Sequence, residues 1–165
     1  MSDMTNELWI ELSIAEQHLW LKQGDEVLWD VPISTAKNGA GEQNGSECTP
    51  RGWHKVRAKI GAGQPENTVF RGRRPTGELY TPALNEAQPG RDWILTRILW
   101  LSGLEPGKNR LGRVDSMRRY IYIHGTPDEV ELGRPGSRGC VRMRNRDIIR
   151  LFDEISEGTK VFIHE

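Results

Sequence analysis

One cysteine of two and one histidine of four close the two ends of a single segment, "HGTPDEVELGRPGSRGCVRM", from His124 through Cys140 to Met143. A thiol becomes a working nucleophile when a neighbouring base or positive charge favours its thiolate. His124 offers the base, and the arginines around "GRPGSRGC" offer the charge. Gly133, Gly136 and Gly139 give the backbone the freedom to turn back and set imidazole against sulfur. They also allow consecutive N–H groups, such as those of Gly139 and Cys140, to converge on one point as an oxyanion hole. The same residues admit a plainer reading. Cysteine is among the most interior residue types, so Cys140 could simply fill a tight buried turn. Spacing alone leaves both open.

Strands must carry the two ends of that segment if they are to meet. "RRYIYIH" reads as a strand that ends on His124. Upstream, Leu8, Ile10, Leu12 and Ile14 alternate with Trp9, Glu11 and Ser13, the period-two pattern of a strand with one buried face. "QHLWLKQ" meets the turn signal "QGDE", and Val27, Trp29, Val31 and Ile33 alternate again, so the chain opens as an antiparallel meander. Residues 34–52 turn to Gly, Asn, Ser, Thr and Pro and read as a loop, after which "WHKVRAKIG" is another strand. Residues 61–91 are a long loop region dominated by breakers, with room for one short strand around "ELYTP"; loops of that length are often lids or binding loops. "RDWILTRILWLSGLE" carries the β-branched and aromatic residues of a buried strand. In "RNRDIIRLFDEISEG", Ile148, Ile149, Leu151, Phe152 and Ile155 fall on one helical stripe. A helix over about 146–157 follows, with Asn145 to cap its start and Gly158 to close its end. "TKVFIHE" is a last strand, and the whole of 1–165 reads as one mainly β domain with one late helix.

Charge excludes some partners. Lys and Arg number 23 against 23 Asp and Glu, so the molecule has no overall field with which to hold nucleic acid or an anionic membrane. Basic surface must be local: residues 134–150 hold six arginines and one acid, Asp147. The first Lys or Arg is Lys22, and Glu7, Glu11 and Glu16 interrupt the early apolar residues, which does not read as a signal peptide. No window approaches the roughly 20 apolar residues of a spanning helix. The expected compartment is the cytoplasm, where Cys48 and Cys140 stay as thiols.

"YIHGT" followed by "GRPGSRGCVRM" resembles the signature of the L,D-transpeptidase catalytic domain family, the YkuD-type fold, in which a histidine precedes a Ser-His-Gly-Cys motif and a nearby arginine. "TPRGWHKV" is similar to the family's Thr-Pro-x-Gly strand start, "ILTRILWLSGLEPGKN" to the strand before the catalytic one, and "GTKVFI" to its closing strand, so the likeness runs from Leu8 to Ile163. It implies a β-sandwich or barrel-like fold and a cysteine acyl enzyme that needs no cofactor. Cys140 would attack the carbonyl between the L-centre of meso-diaminopimelate and terminal D-Ala in a peptidoglycan tetrapeptide stem. His124 would be base and then acid, oriented through its other nitrogen by backbone at Gly125. Ser137 would position the loop or the substrate, and Arg142 would fix the loop or meet a substrate carboxylate. Arg138 stands where the familiar motif has a second histidine; guanidinium keeps its proton, so it cannot act as a base but can clamp a carboxylate. Arg134 is a further candidate for the substrate side. A carbapenem, with its strained carbonyl, is the inhibitor the resemblance implies.

The thioester that results has two fates. Water gives a tripeptide, which is L,D-carboxypeptidation, and an amine gives a 3-3 cross-link or an exchanged D-amino acid. With a cytoplasmic compartment the stems at hand are muropeptides returning from wall turnover, which favours the carboxypeptidase; an exported transpeptidase and a non-catalytic stem-binding domain are the alternatives. Tyr80 and Trp53 are expected to line the cleft near the long loop. Cys48 and His54 lack further ligands at zinc-like spacing, and no metal site is expected. His18 and His164 read as side chains on polar strand faces, and the six tryptophans as core.

Overall fold

The computed structural model describes residues 6–165. The first five residues of the stretch read against a signal peptide lie outside them. Three strands open the chain, β1 (Leu8–Ser13), β2 (His18–Gln23) and β3 (Glu26–Pro32), followed after a long loop by β4 (Gly52–Ile60). Next come β5 (Thr68–Arg71), β6 (Arg74–Leu79), α1 (Pro82–Ala87), β7 (Ile94–Gly103), β8 (Tyr122–Gly125), β9 (Val141–Met143), α2 (Asn145–Glu154) and β10 (Lys160–His164). All ten strands join one mixed sheet in the order β3-β2-β1-β10-β4-β7-β5-β6, with β8 on β7 and β9 on β8. The parallel pairs are β1 with β10 and β8 with β9.

The alternation read in β1 is physical. Ile10 and Leu12 are fully buried, while Glu11 between them faces the other way and binds Lys22 Nζ at 2.7 Å and His164 Nε2 at 2.8 Å. His18 pairs with Asp30 in the same manner, so both histidines sit on polar strand faces. β7 is the central strand, nearly all of it buried, with β4 and β5 along one edge and β8 along the other. α2 lays Ile148, Leu151 and Phe152 onto the core that also holds Leu99, Leu101 and Ile123.

Two readings shift. The breaker-rich stretch 61–91 holds more than one short strand: Gly72 and Arg73, both with positive φ (56° and 64°), make the tight reversal between β5 and β6, and Thr81 caps α1 by accepting from the Leu84 amide. Mirror-image turns of this kind match the twist of paired strands, so glycine here builds a hairpin. The late helix begins one residue earlier than expected and ends at Glu154. Asn145 is its first residue and not its cap, because its side chain is drawn into the core by Thr96 and Asn67. Ile155 leaves the helix in an extended conformation, and Gly158, at φ +91°, turns the chain toward β10 by donating to the Val56 carbonyl at 2.8 Å.

Leu101 is fully buried in β7 at the middle of this packing. Leu101→Ala is expected to cost about 2–5 kcal/mol of unfolding free energy, read from the shift of the urea midpoint.

Candidate active site

β8 and β9 run parallel with Ile123 opposite Val141 and His124 opposite Arg142. Continuing that register one place back sets Cys140 beside Tyr122, and because side chains alternate along a strand, Tyr122, His124, Cys140 and Arg142 share one face. The sulfur is held by the backbone that leads into β8: Cys140 Sγ accepts from the Tyr122 amide at 3.3 Å and donates to the Tyr120 carbonyl at 3.3 Å. His124 is 1% exposed, and its Nδ1 lies 2.6 Å from the Gly125 carbonyl. A carbonyl can only accept, so Nδ1 carries the proton and Nε2 is left as the basic nitrogen. Both side chains line one chamber of about 470 Å³, together with Ser137 and Arg138.

Burial sets the charge states. It pushes the Cys140 thiol up to about 12, with the nearby Asp92 carboxylate adding to the rise while the Tyr122 amide, Arg142 and Arg119 oppose it. It pushes the His124 imidazole below its ordinary value, against the pull of Asp92 and of the Gly125 carbonyl. At neutral pH the resting pair is therefore thiol and neutral imidazole. A thiol in this setting reacts only as its proton leaves, which requires a base at hand and not merely a positive field.

Ser137 is a clamp on the loop. Its Oγ donates to the Cys140 carbonyl at 2.5 Å and accepts from the Gly139 amide at 3.2 Å. That second bond corrects the expected oxyanion donor: the Gly139 N–H is already taken. Glycine is required at 139 for shape, at φ +129° and with an added Cβ only 3.2 Å from the Cys48 carbonyl. Arg138 is exposed on the rim of the chamber. Arg142 faces a smaller neighbouring pocket and reaches Asp92 Oδ1 at 3.5 Å. Arg134 is not part of either cavity; it pairs with Glu131 at 3.0 Å in solvent. Tyr80 lines the smaller pocket, its hydroxyl donating to Glu129 at 2.6 Å. Trp53 is far from the role expected of it, because β4 pairs with β10 and stacks its indole on Phe162 and Trp9.

Several chamber residues escaped the sequence reading. Phe70, Gly72 and Arg73 bring the β5–β6 hairpin to the chamber wall, where Arg73 donates to the Tyr122 hydroxyl at 3.1 Å and stacks on Trp100 and Tyr120. The Gly72-Arg73 pair was the available signal, a turn dipeptide hidden among other breakers. Arg119 lines the chamber while anchoring the Cys48 carbonyl at 2.6 Å, and Asp92 lines it from the segment before β7; neither sits in a pattern that marks it. His54 is buried away from the chamber, bonded to the Gly52 carbonyl and to Ser116 Oγ, with burial pushing it down to about 4. Among the described residues, no three His, Cys, Asp or Glu side chains gather as a metal ion would need.

A part-buried cysteine and a histidine of fixed tautomer thus line one chamber with arginines on its walls. Residues 7–163 match the family described as "YkuD: L,D-transpeptidase catalytic domain", and the chain belongs to that family. The putative L,D-transpeptidase YkuD of Bacillus subtilis is 38% identical over 47 residues, 28% of this chain and 29% of that protein. The probable L,D-transpeptidase ErfK/SrfK of Salmonella typhimurium is 30% identical over 102 residues, 54% of this chain and 33% of that one. The chain thus aligns with about a third or less of these curated relatives. Among solved structures, an L,D-transpeptidase from Mycobacterium smegmatis superposes with a TM-score of 0.56 at 17% identity, covering 96% of this chain and 59% of that one. L,D-transpeptidase 3 from Mycobacterium tuberculosis, in complex with a faropenem-derived adduct, gives 0.57 at 14% identity, covering 96% and 60%. These last two show the same fold.

The geometry at Gly125 is tight enough to test. An added Cβ there would lie 2.3 Å from Asn145 Oδ1 and 2.6 Å from the Leu95 carbonyl. Gly125→Ala is expected to cost about 1–3 kcal/mol of stability and, by moving the carbonyl that holds Nδ1, to slow acylation of Cys140 at least tenfold, read by mass spectrometry against time. The pH profile has a defined sign. The folded imidazole titrates below its ordinary value of 6.5, so acylation is expected to be level through pH 7 and to fall only as pH drops below 6.5 and Nε2 takes a proton. A midpoint above 6.5 on the acid limb contradicts this arrangement.

Proposed function

We propose that this chain is a cysteine L,D-carboxypeptidase that removes terminal D-Ala from tetrapeptide stems of peptidoglycan fragments. Cys140 Sγ attacks the carbonyl joining the L-centre of meso-diaminopimelate to D-Ala as His124 Nε2 takes the thiol proton, and a C–S bond forms. The C–N bond then breaks, the imidazolium returns that proton to the departing amine, and D-Ala leaves a thioester on Cys140. Water attacks the thioester with Nε2 as base, the C–S bond breaks, and the thiolate recovers the proton. The single observation that carries this reading is Cys140 and His124 lining one chamber, with Nδ1 committed to the Gly125 carbonyl so that Nε2 is the basic nitrogen. Family membership supplies the substrate class. Arg138 on the rim would meet a stem carboxylate, and Ser137 would hold the loop on which the nucleophile sits.

Hydrolysis is favoured because a chamber of about 470 Å³ suits one stem end, and water needs no docking surface of its own. The transpeptidase reading draws on a second cavity of about 570 Å³, which shares Phe70 and Asp92 with the first and could seat an amine-bearing acceptor. The reaction is placed in the cytoplasm on muropeptides returned from wall turnover, a reading that accords with the free thiols of Cys48 and Cys140.

The test is product analysis. Purified protein incubated with disaccharide tetrapeptide, with and without excess D-Met, is expected to yield chiefly tripeptide in both cases. Dominant D-Met exchange or dimer formation replaces the hydrolase with the transferase. A carbapenem is expected to leave one covalent adduct that Cys140→Ala abolishes; an adduct that persists in that variant, or none at all, removes the enzyme reading.

A further inference from the structure

Next to the Cys140 chamber lies a separate cavity of about 220 Å³ whose walls include Tyr80, Trp93, Thr126, Glu129, Arg91 and Arg142. Thr126 is 1% exposed and closes the floor of this cavity. The Arg142 side chain is 18% exposed and carries five N–H donors, and its one ionic partner among the described residues is Asp92 Oδ1 at 3.5 Å, the outer limit of a hydrogen bond. Arg91, by contrast, is already neutralised by Glu78 at 2.9 Å and stacked on Trp93. The Glu129 carboxylate, at the exposed mouth, accepts the Tyr80 hydroxyl and has no cationic partner among the described residues.

A spare cation and a spare carboxylate on the walls of one small cavity, not paired with each other, complement a ligand that carries both charges. We propose that this cavity is a binding site for a free α-amino acid, whose carboxylate is held by Arg142 and whose ammonium is held by Glu129. Its volume admits one amino acid with its side chain against Trp93 and Tyr80, and leaves no room for a stem. The same carboxylate chemistry could come from the C-terminus of a peptide, but a peptide has no α-ammonium there for Glu129. The assignment rests on the function proposed above only in the choice of probe, since D-Ala is the product of that reaction.

The experiment is an equilibrium titration of the Cys140→Ala protein, which cannot turn over, with D-Ala and separately with N-acetyl-D-Ala, followed by NMR. Saturable one-to-one binding of D-Ala is expected, with N-acetyl-D-Ala at least tenfold weaker. Arg142→Lys and Glu129→Gln are each expected to weaken D-Ala about 5–10-fold. Glu129 is exposed, so its variant stays informative if the Arg142 substitution disturbs folding. Equal affinity for the acetylated compound, absence of saturation, or a Glu129→Gln protein that binds as tightly as its parent overturns the site. None of these results touches tripeptide release by the intact protein, so failure here and failure of the carboxypeptidase reading are separately visible.

Discussion

The hydrogen bond from His124 Nδ1 to the Gly125 carbonyl decides what this sheet edge can do, since it selects the ring nitrogen that stays basic. Gly125 itself is packed from three directions. Thr96, at φ +76° in the irregular stretch of β7 where its register with β8 shifts, donates to Asn145 Oδ1 at 2.6 Å and accepts from the Asn67 amide at 3.1 Å. Asn145 in turn donates to Asn67 Oδ1 at 3.0 Å. Glycine alone fits at 125 because Asn145 and Leu95 occupy the space a side chain would need. The start of α2, the bulge in β7 and the loop before β5 therefore converge around Gly125, and positional precision comes from such over-determined neighbours.

Burial is the second constraint, and it acts against the simplest picture of an activated cysteine. The positive charges near Cys140 are present, but the sulfur is desolvated enough that the thiol form prevails. Two neutral partners in a low-dielectric setting are stable at rest and need no counterion network. Charge develops only when a reactant arrives, where the surrounding donors act most strongly. The arginines divide the remaining labour by position: Arg119 and Arg73 bind backbone and tyrosine and so build the walls, whereas Arg138 stands on the rim. Molecular neutrality with a locally basic site follows from that distribution.

Much was legible in the order of residues. Period-two alternation located β1 and β3, β-branched and aromatic content located β7, and the stripe Ile148, Leu151, Phe152, Ile155 located α2, because these residues pack against the core. The paired motifs around His124 and Cys140 pointed to one site because the loop between them is glycine-rich and returns to a neighbouring strand. The β5–β6 hairpin was poorly legible: the six residues of β6 are mostly exposed, so no hydrophobic period marks them, and the Gly72-Arg73 turn is one breaker among many in that stretch. Asn145 read as a cap because capping depends on local chemistry, while its actual partners lie 49 and 78 residues away.

The sequence by itself determined the mainly β class and the late helix and singled out His124 and Cys140, which line one chamber, since local periodicity and motif spacing are short-range properties. Only the tertiary structure decided that Trp53 belongs to the β4–β10 stack, that Arg134 lies outside, that the Gly139 amide is spent on Ser137, and that Asp92, Arg73 and Arg119 wall the chamber. Each of those outcomes depends on which strands pair and in what register. Pairing is settled by burial summed over the whole sheet, and no single stretch of chain contains that sum.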